Sequence, residues 1–146
     1  DEVFGIDLLE NAQLNIRKAD LAIEPIPFES NYFDALSAYD FIEHIPRLAY
    51  VPERRYPFVE LMNEIYRVLM PQGVFMSVTP AFPAAEVFRD PTHVNIITEE
   101  TFPLYFDQNN RLAAVYGFNG YFQVIEQKWH DNQTHLVTTM RKLVLR

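Results

Sequence analysis

With 146 residues, 49% of them apolar and 14% aromatic, the chain is long enough for one domain with its own core and too apolar to be disordered as a whole. A formal charge of −8, with Lys and Arg scattered along the chain, gives no electrostatic footprint for a phosphate backbone and argues against nucleic acid as a partner. The absence of cysteine removes disulfides, thiolate metal sites and cysteine nucleophiles; no apolar run approaches the ~20 residues that span a bilayer, so a soluble, cytoplasmic protein is expected.

The first elements are short. VFGID (3 to 7) is a β-rich run ending on an acid, and LNIRKAD (14 to 20) is a second that does the same. The chain starts at Asp1 without methionine, directly before the first run, and is expected to begin inside a larger product. FDALSAY (33 to 39) is too continuously apolar for a surface strand and too short for a helix, which predicts a parallel strand covered on both faces. PERRYP (52 to 57) is a charged, proline-bounded loop. In the segment that follows, Phe58, Leu61, Met62, Ile65, Val68 and Leu69 recur at helical spacing, with Pro57 in the first turn and Pro71 and Gly73 as the stop. A tight Pro-Gln-Gly turn then leads to the strand GVFMSVTP (73 to 80), closing a right-handed βαβ crossover from FDALSAY. Residues 81 to 110 loosen into proline, aromatic and acidic residues and read as a lid or substrate-facing insertion, with one helical turn at TEETFPLYF that Thr98 can cap. YFQVIEQKWH (121 to 130) and THLVTTMRKLVL (134 to 145), joined by Asp131, Asn132 and Gln133, predict an antiparallel hairpin. One α/β domain over 1 to 146 is expected, mostly parallel with a terminal antiparallel pair.

Four stretches in this order carry a resemblance: IDLLE (6 to 10), KADL (18 to 21), IPFESNYFDALSAYDFIEH (26 to 44) and IYRVLMPQGVFMSVTP (65 to 80). RDPTHVNIITEETF (89 to 102) adds a fifth. Together they resemble the class I S-adenosylmethionine-dependent methyltransferases, in particular the methyltransferase type 11-like group. The resemblance implies a Rossmann-like sheet whose strand ends form a crevice for S-adenosylmethionine. It implies that Asp7, with Leu8 beside it, accepts hydrogen bonds from the ribose hydroxyls. It further implies that Asp20 accepts from the adenine amino group with Leu21 packed on the ring, and that Ala38, Tyr39 and Phe41 line the adenosine and sulfonium.

Each role has a plainer rival: Asp7 as a loop carboxylate, Asp20 as a turn residue after a strand. Asp34 is expected to bond local backbone at its strand entry, and Glu43 to cap or pair near a helix start. His44, the catalytic candidate, can serve as a general base toward an acceptor, because its unperturbed pKa lies near neutral; methyl transfer also proceeds by alignment alone. His93 can line the acceptor pocket or cap the Thr98 helix, while His130 and His135 flank the hairpin and read as structural. No metal is expected, because the histidines are widely separated and none are paired at ligand spacing on one helix. Tyr105, Phe106, Phe82 and Phe88 can build an aromatic-lined acceptor pocket, yet aromatic residues at these spacings are more often core.

The departure from the family is the glycine-rich loop that lets backbone approach the methionine part of the cofactor. The chain has four glycines, at 5, 73, 117 and 120, and none forms such a loop, so the first strand here matches the family's second. Either the missing strand and helix lie upstream, or this is a degenerate relative. On both readings a gap is expected between the VFGID and FDALSAY strands, the isolated polypeptide should bind S-adenosylmethionine poorly, and copies can associate through the exposed sheet. The functions weighed are methyl transfer to a small-molecule or glycan/lipid acceptor, a non-catalytic binding or scaffolding domain, and another nucleotide-using enzyme such as a reductase. The last is disfavoured because its phosphate-binding glycines are absent too.

Overall fold

The computed structural model describes residues 2–145. It contains two sheets. Strands β1 (Gly5–Asp7) and β2 (Ile16–Lys18) pair in parallel, Asp7 opposite Lys18, and form a sheet of their own. The second sheet has the order β3 (Phe33–Tyr39), β4 (Leu69–Pro80), β6 (His135–Lys142), β5 (Phe122–His130), with β3 parallel to β4 and the rest antiparallel. The expected gap is present: β1 and β3 are not hydrogen-bonded to each other, and each is an edge.

Rings hold the two sheets together. Phe28 packs edge-on against Phe4, just before β1, with centroids 5.3 Å apart, and against Phe33, the first residue of β3, at 4.7 Å. The Arg17 guanidinium lies 3.9 Å above the Phe28 ring and donates to the Pro27 carbonyl at 2.6 Å. Burial of apolar rings, with a cation on one face, thus takes the place of backbone hydrogen bonds between the sheets.

Helix α1 (Pro57–Val68) begins with Pro57 in its first turn and buries Phe58, Leu61, Met62, Ile65 and Val68 along one face, as the spacing predicts. That face joins Phe75, Leu136 and Met140 of the larger sheet in one core. Glu64 and Arg67 on its flank clamp the preceding loop: Glu64 Oε2 accepts from the Ile26 N–H at 2.9 Å, and Arg67 donates to the carbonyls of Phe28 and Ile26.

Four expectations are corrected. FDALSAY is not covered on both faces; Asp34 is exposed, and Ala35, Ser37 and Tyr39, which share one face of the strand, are exposed with it. Pro71, Gln72 and Gly73 are not a turn ahead of a strand: β4 already starts at Leu69, opposite Phe33, and pairing resumes at Ala35 with Val74, so the three residues form a bulge. The stretch 81 to 110 is not a lid. Val87 in helix α2 (Glu86–Arg89), Phe102 in helix α3 (Thr101–Tyr105), and Ile97 and Phe106 outside both helices are buried, because their apolar side chains are driven into the core. Asp34, finally, makes no side-chain hydrogen bond among the described residues, its carboxylate facing water.

The hairpin forms as expected, from Phe122–His130 to His135–Lys142, with Asp131, Asn132 and Gln133 all at positive φ. Among the described residues no helix is long and apolar enough to cross a membrane.

Candidate functional site

Asp7 ends β1 and Asp20 lies two residues past the end of the neighbouring β2, so both acids leave the carboxyl end of one parallel pair. Each orders the turn behind it: Asp7 Oδ1 accepts from the Leu9 N–H at 3.1 Å, and Asp20 Oδ1 from the Ala22 N–H at 3.1 Å. These are the hydrogen bonds the plainer readings require, and each leaves the other carboxylate oxygen for a ligand. Leu8 is exposed, and Leu21 packs at the core margin. Across the gap, Ala38 and Tyr39 close β3 while Phe41 precedes a 3₁₀ turn, Ile42–His44; Ala38 and Phe41 touch the core and Tyr39 is exposed.

The 3₁₀ turn carries the residues with the most defined chemistry. Glu43 is not a helix cap: it is 1% exposed, with Oε2 accepting from the Thr79 hydroxyl at 2.8 Å and Oε1 without a hydrogen-bond partner among the described residues. Its backbone carbonyl accepts from the N–H groups of Val94 and Asn95, which anchors the 90 to 95 loop on the turn. That loop brings His93 against His44, ring centroids 4.9 Å apart and edge to face. His93 therefore lines a pocket and does not cap the Thr98 helix; the Thr98 hydroxyl itself accepts from the Glu100 N–H at 3.2 Å. The cavity so formed, about 320 Å³, opens at the ends of β3 and β4 and is lined by Asp40, Glu43, His44, Asp90, His93 and His135 among others.

The imidazole tautomers follow from their partners. The Thr92 hydroxyl has one proton and gives it to Asp90 Oδ1 at 2.6 Å, so it must accept from His44 Nδ1, 3.0 Å away. The Val87 carbonyl can only accept, so His93 Nδ1, at 3.0 Å, carries a proton as well. In the neutral form of each ring Nε2 is then the lone-pair nitrogen, and His93 Nε2 lies 3.9 Å from Asp90 Oδ2. The Thr92 hydroxyl and N–H hold the Asp90 carboxyl below its ordinary pKa. His135 Nε2 contacts Asp40 Oδ1 at 2.9 Å, and His130 Nε2 lies 3.1 Å from Asp131 Oδ1.

A second cavity, about 660 Å³, is lined by Arg47, Tyr56, Phe58, Leu104, Tyr105 and Phe106 among others. Tyr105 and Phe106 thus meet in one pocket, whereas Phe82 and Phe88 are exposed and lie outside its lining. Asn95, fully buried, ties Arg47 to the 3₁₀ turn: its Nδ2 donates to the Ile42 carbonyl at 3.1 Å and its Oδ1 accepts from Arg47 Nε at 2.6 Å. Burial lowers the pKa of Arg47. Neither Arg47 nor Asn95 stands out in the sequence; the only hint is that both adjoin the EH and DPTH stretches.

Acids at the ends of two adjacent parallel strands suit the class I methyltransferase architecture. The model of a family described as "Methyltransferase domain" matches residues 2–77, and the chain belongs to that family. Solved structures of this fold are similar over nearly the whole chain. The YcgJ protein of Bacillus subtilis is 12% identical, with 97% of this chain and 82% of that one covered and a TM-score of 0.60. An S-adenosylmethionine-dependent methyltransferase of Archaeoglobus fulgidus is 15% identical over 95% of this chain and 75% of its own, also at 0.60. The 1,6-didemethyltoxoflavin-N1-methyltransferase of Burkholderia thailandensis, solved with its acceptor and S-adenosylhomocysteine, is 15% identical over 95% of this chain and 60% of its own, at 0.58. The chain spans from 44% to 82% of the lengths of such solved relatives. No curated protein matches it.

Proposed function

We propose that this chain supplies the nucleoside and acceptor sides of an S-adenosylmethionine-dependent methyl transfer to a small-molecule or glycan/lipid acceptor. The observation that carries this reading is the placement of Asp7 and Asp20 at the same end of two hydrogen-bonded parallel strands. In it, Asp7 accepts from the ribose hydroxyls beside Leu8, Asp20 accepts from the adenine amino group over Leu21, and Ala38, Tyr39 and Phe41 line the far wall. An acceptor oxygen or nitrogen attacks the sulfonium methyl, and the carbon–sulfur bond breaks. His44 is the candidate base: its Nε2 lone pair takes the acceptor's proton. The aromatic cavity with Tyr105 and Phe106 has room for the acceptor body, and B. thailandensis supplies the precedent of a small heteroaromatic acceptor on this fold.

Support for a second reading, a binding or scaffolding domain without chemistry, comes from the absence of a glycine-rich loop in this chain; copies would then meet through the open edges of β1 and β3. The two readings share the nucleoside contacts and are tested at that level first. Saturation-transfer NMR detects millimolar binding, so adenosine should show transfer to its ribose and adenine protons in the 146-residue chain. Asp7→Ala should remove the ribose signal preferentially and Asp20→Ala the adenine signal. Transfer unchanged in both variants, or none in the parent chain, would remove the nucleoside reading.

A further inference from the structure

Glu43, His44 and His93 each present one potential ligand atom within 4.8 Å of the others. From spacing alone these residues carried no such expectation, since 49 positions separate the histidines. The fold brings them together by hanging the 90 to 95 loop on the Glu43 carbonyl.

Three independent features of the cluster point the same way. A carboxylate oxygen that is fully buried and lacks any hydrogen bond is costly, and among the described residues Glu43 Oε1 is such an atom, in a side chain that lines the cavity. Both imidazoles have their Nδ1 protons engaged by oxygen acceptors, His44 through Thr92 to Asp90 and His93 through the Val87 carbonyl. This is the outer-shell pattern that fixes the tautomer and orients a metal-binding ring, leaving Nε2 as donor. The cavity lining is also anionic in balance, with Asp40, Glu86 and Asp90 alongside Glu43 against the single guanidinium of Arg89. A divalent cation would satisfy the buried Glu43 oxygen and take both imidazoles as ligands at once.

We propose that Glu43 Oε1, His44 Nε2 and His93 Nε2 bind a divalent first-row transition-metal ion, with the remaining coordination positions facing the cavity. Two imidazoles and a carboxylate form a borderline nitrogen/oxygen set that suits Zn²⁺ and its neighbours and not Mg²⁺ or Ca²⁺. Bonds of ~2.1 Å put tetrahedral ligands roughly 3.4 Å apart, so the site contracts on binding, chiefly by rotation of the two half-buried rings. The ion goes beyond the methyl-transfer reading and stands without it. It also competes with it at one atom, since Nε2 of His44 cannot hold a metal and take a proton at once.

The experiment is titration of the purified chain with Zn²⁺ alone against a chromophoric chelator, followed by Co²⁺ as a spectroscopic probe. One Zn²⁺ per chain is expected, with affinity falling at least tenfold in His93→Ala and in Glu43→Gln and unchanged in His130→Ala, whose ring lies on the exposed hairpin. Visible Co²⁺ absorption bands should appear in the parent chain and vanish in His93→Ala. Because Glu43→Gln alters a buried group and can impair folding, the parent chain is also followed by imidazole ¹⁵N NMR. On Zn²⁺ addition the Nε2 signals of His44 and His93 should shift while those of His130 and His135 stay. Affinity unaffected by His93→Ala, or shifts confined to His130 and His135, would overturn the proposal. Since adenosine binding is read separately, either result leaves the nucleoside test standing.

Discussion

The Glu64 carboxylate shows how one charged side chain can organise a loop. Arg67 hydrogen-bonds it and, with the Ile26 N–H, holds its pKa below the ordinary 4.5, while burial opposes them. A carboxyl whose folded pKa is depressed contributes stability that is present above the unfolded pKa and lost as pH falls through the folded one. Glu64→Gln should therefore lower stability at pH 7 by about 1 kcal/mol, the size of a partly exposed charged hydrogen bond. The gap between variant and parent should close on acidification below the carboxylate range. Urea denaturation at pH 7 and pH 3 measures both; equal stability at pH 7 would mean the clamp on residues 26 to 28 contributes nothing. By contrast, burial lowers the Lys142 pKa, so its ammonium is held in place by the Leu69 carbonyl at 2.7 Å and Asn31 at 2.8 Å despite a desolvation cost.

At the scale of an element, the bulge that opens β4 concentrates two opposite constraints in adjacent residues. Gln72 sits at φ 68°, where a side chain is disfavoured. Gly73 has a different reason to lack one: an added Cβ would lie 2.8 Å from the Met70 carbonyl oxygen and 3.0 Å from that of Asp34, both backbone atoms that cannot step aside. Gln72→Gly should be neutral or stabilising by up to ~1 kcal/mol, and Gly73→Ala destabilising by roughly 1–3 kcal/mol. Chemical denaturation of the two variants would separate them by sign; a Gly73→Ala protein as stable as the parent would show that the β3–β4 crossover tolerates widening there. The crossover matters for function because it sets where β3 releases the chain toward Glu43 and His44.

For the whole molecule, the split between the sheets dominates. Each strand of the β1–β2 pair has three residues, and the pair reaches the rest through the Phe4, Phe28, Tyr32 and Phe33 rings, while β4 and β6 share a long antiparallel ladder over the α1 face. A two-stranded sheet is marginal by itself. Hydrogen exchange should accordingly find the amides of β1 and β2 opening by local unfolding, well before those of β4 and β6, which exchange only on global opening. Equal protection in both sheets would mean that the aromatic contact couples them into one cooperative unit.

Much was legible from local pattern. Helix α1 follows from its apolar spacing and terminal prolines, the hairpin from two β-rich runs around three polar residues, and the parallel strand ends from acids closing short apolar runs; these are local signals, and tertiary packing agreed with them. The gap between β1 and β3 was also foreseen, because the missing glycine-rich loop implies a missing neighbour. What only the tertiary structure decided is contact between distant segments: the burial of Glu43, the meeting of His44 with His93, and the Arg47–Asn95 hydrogen bond. No periodicity encodes those, since they depend on where a loop anchored by two backbone hydrogen bonds comes to rest. The exposure of β3 was equally beyond pattern reading, for a strand's apolar content does not say which of its faces is covered.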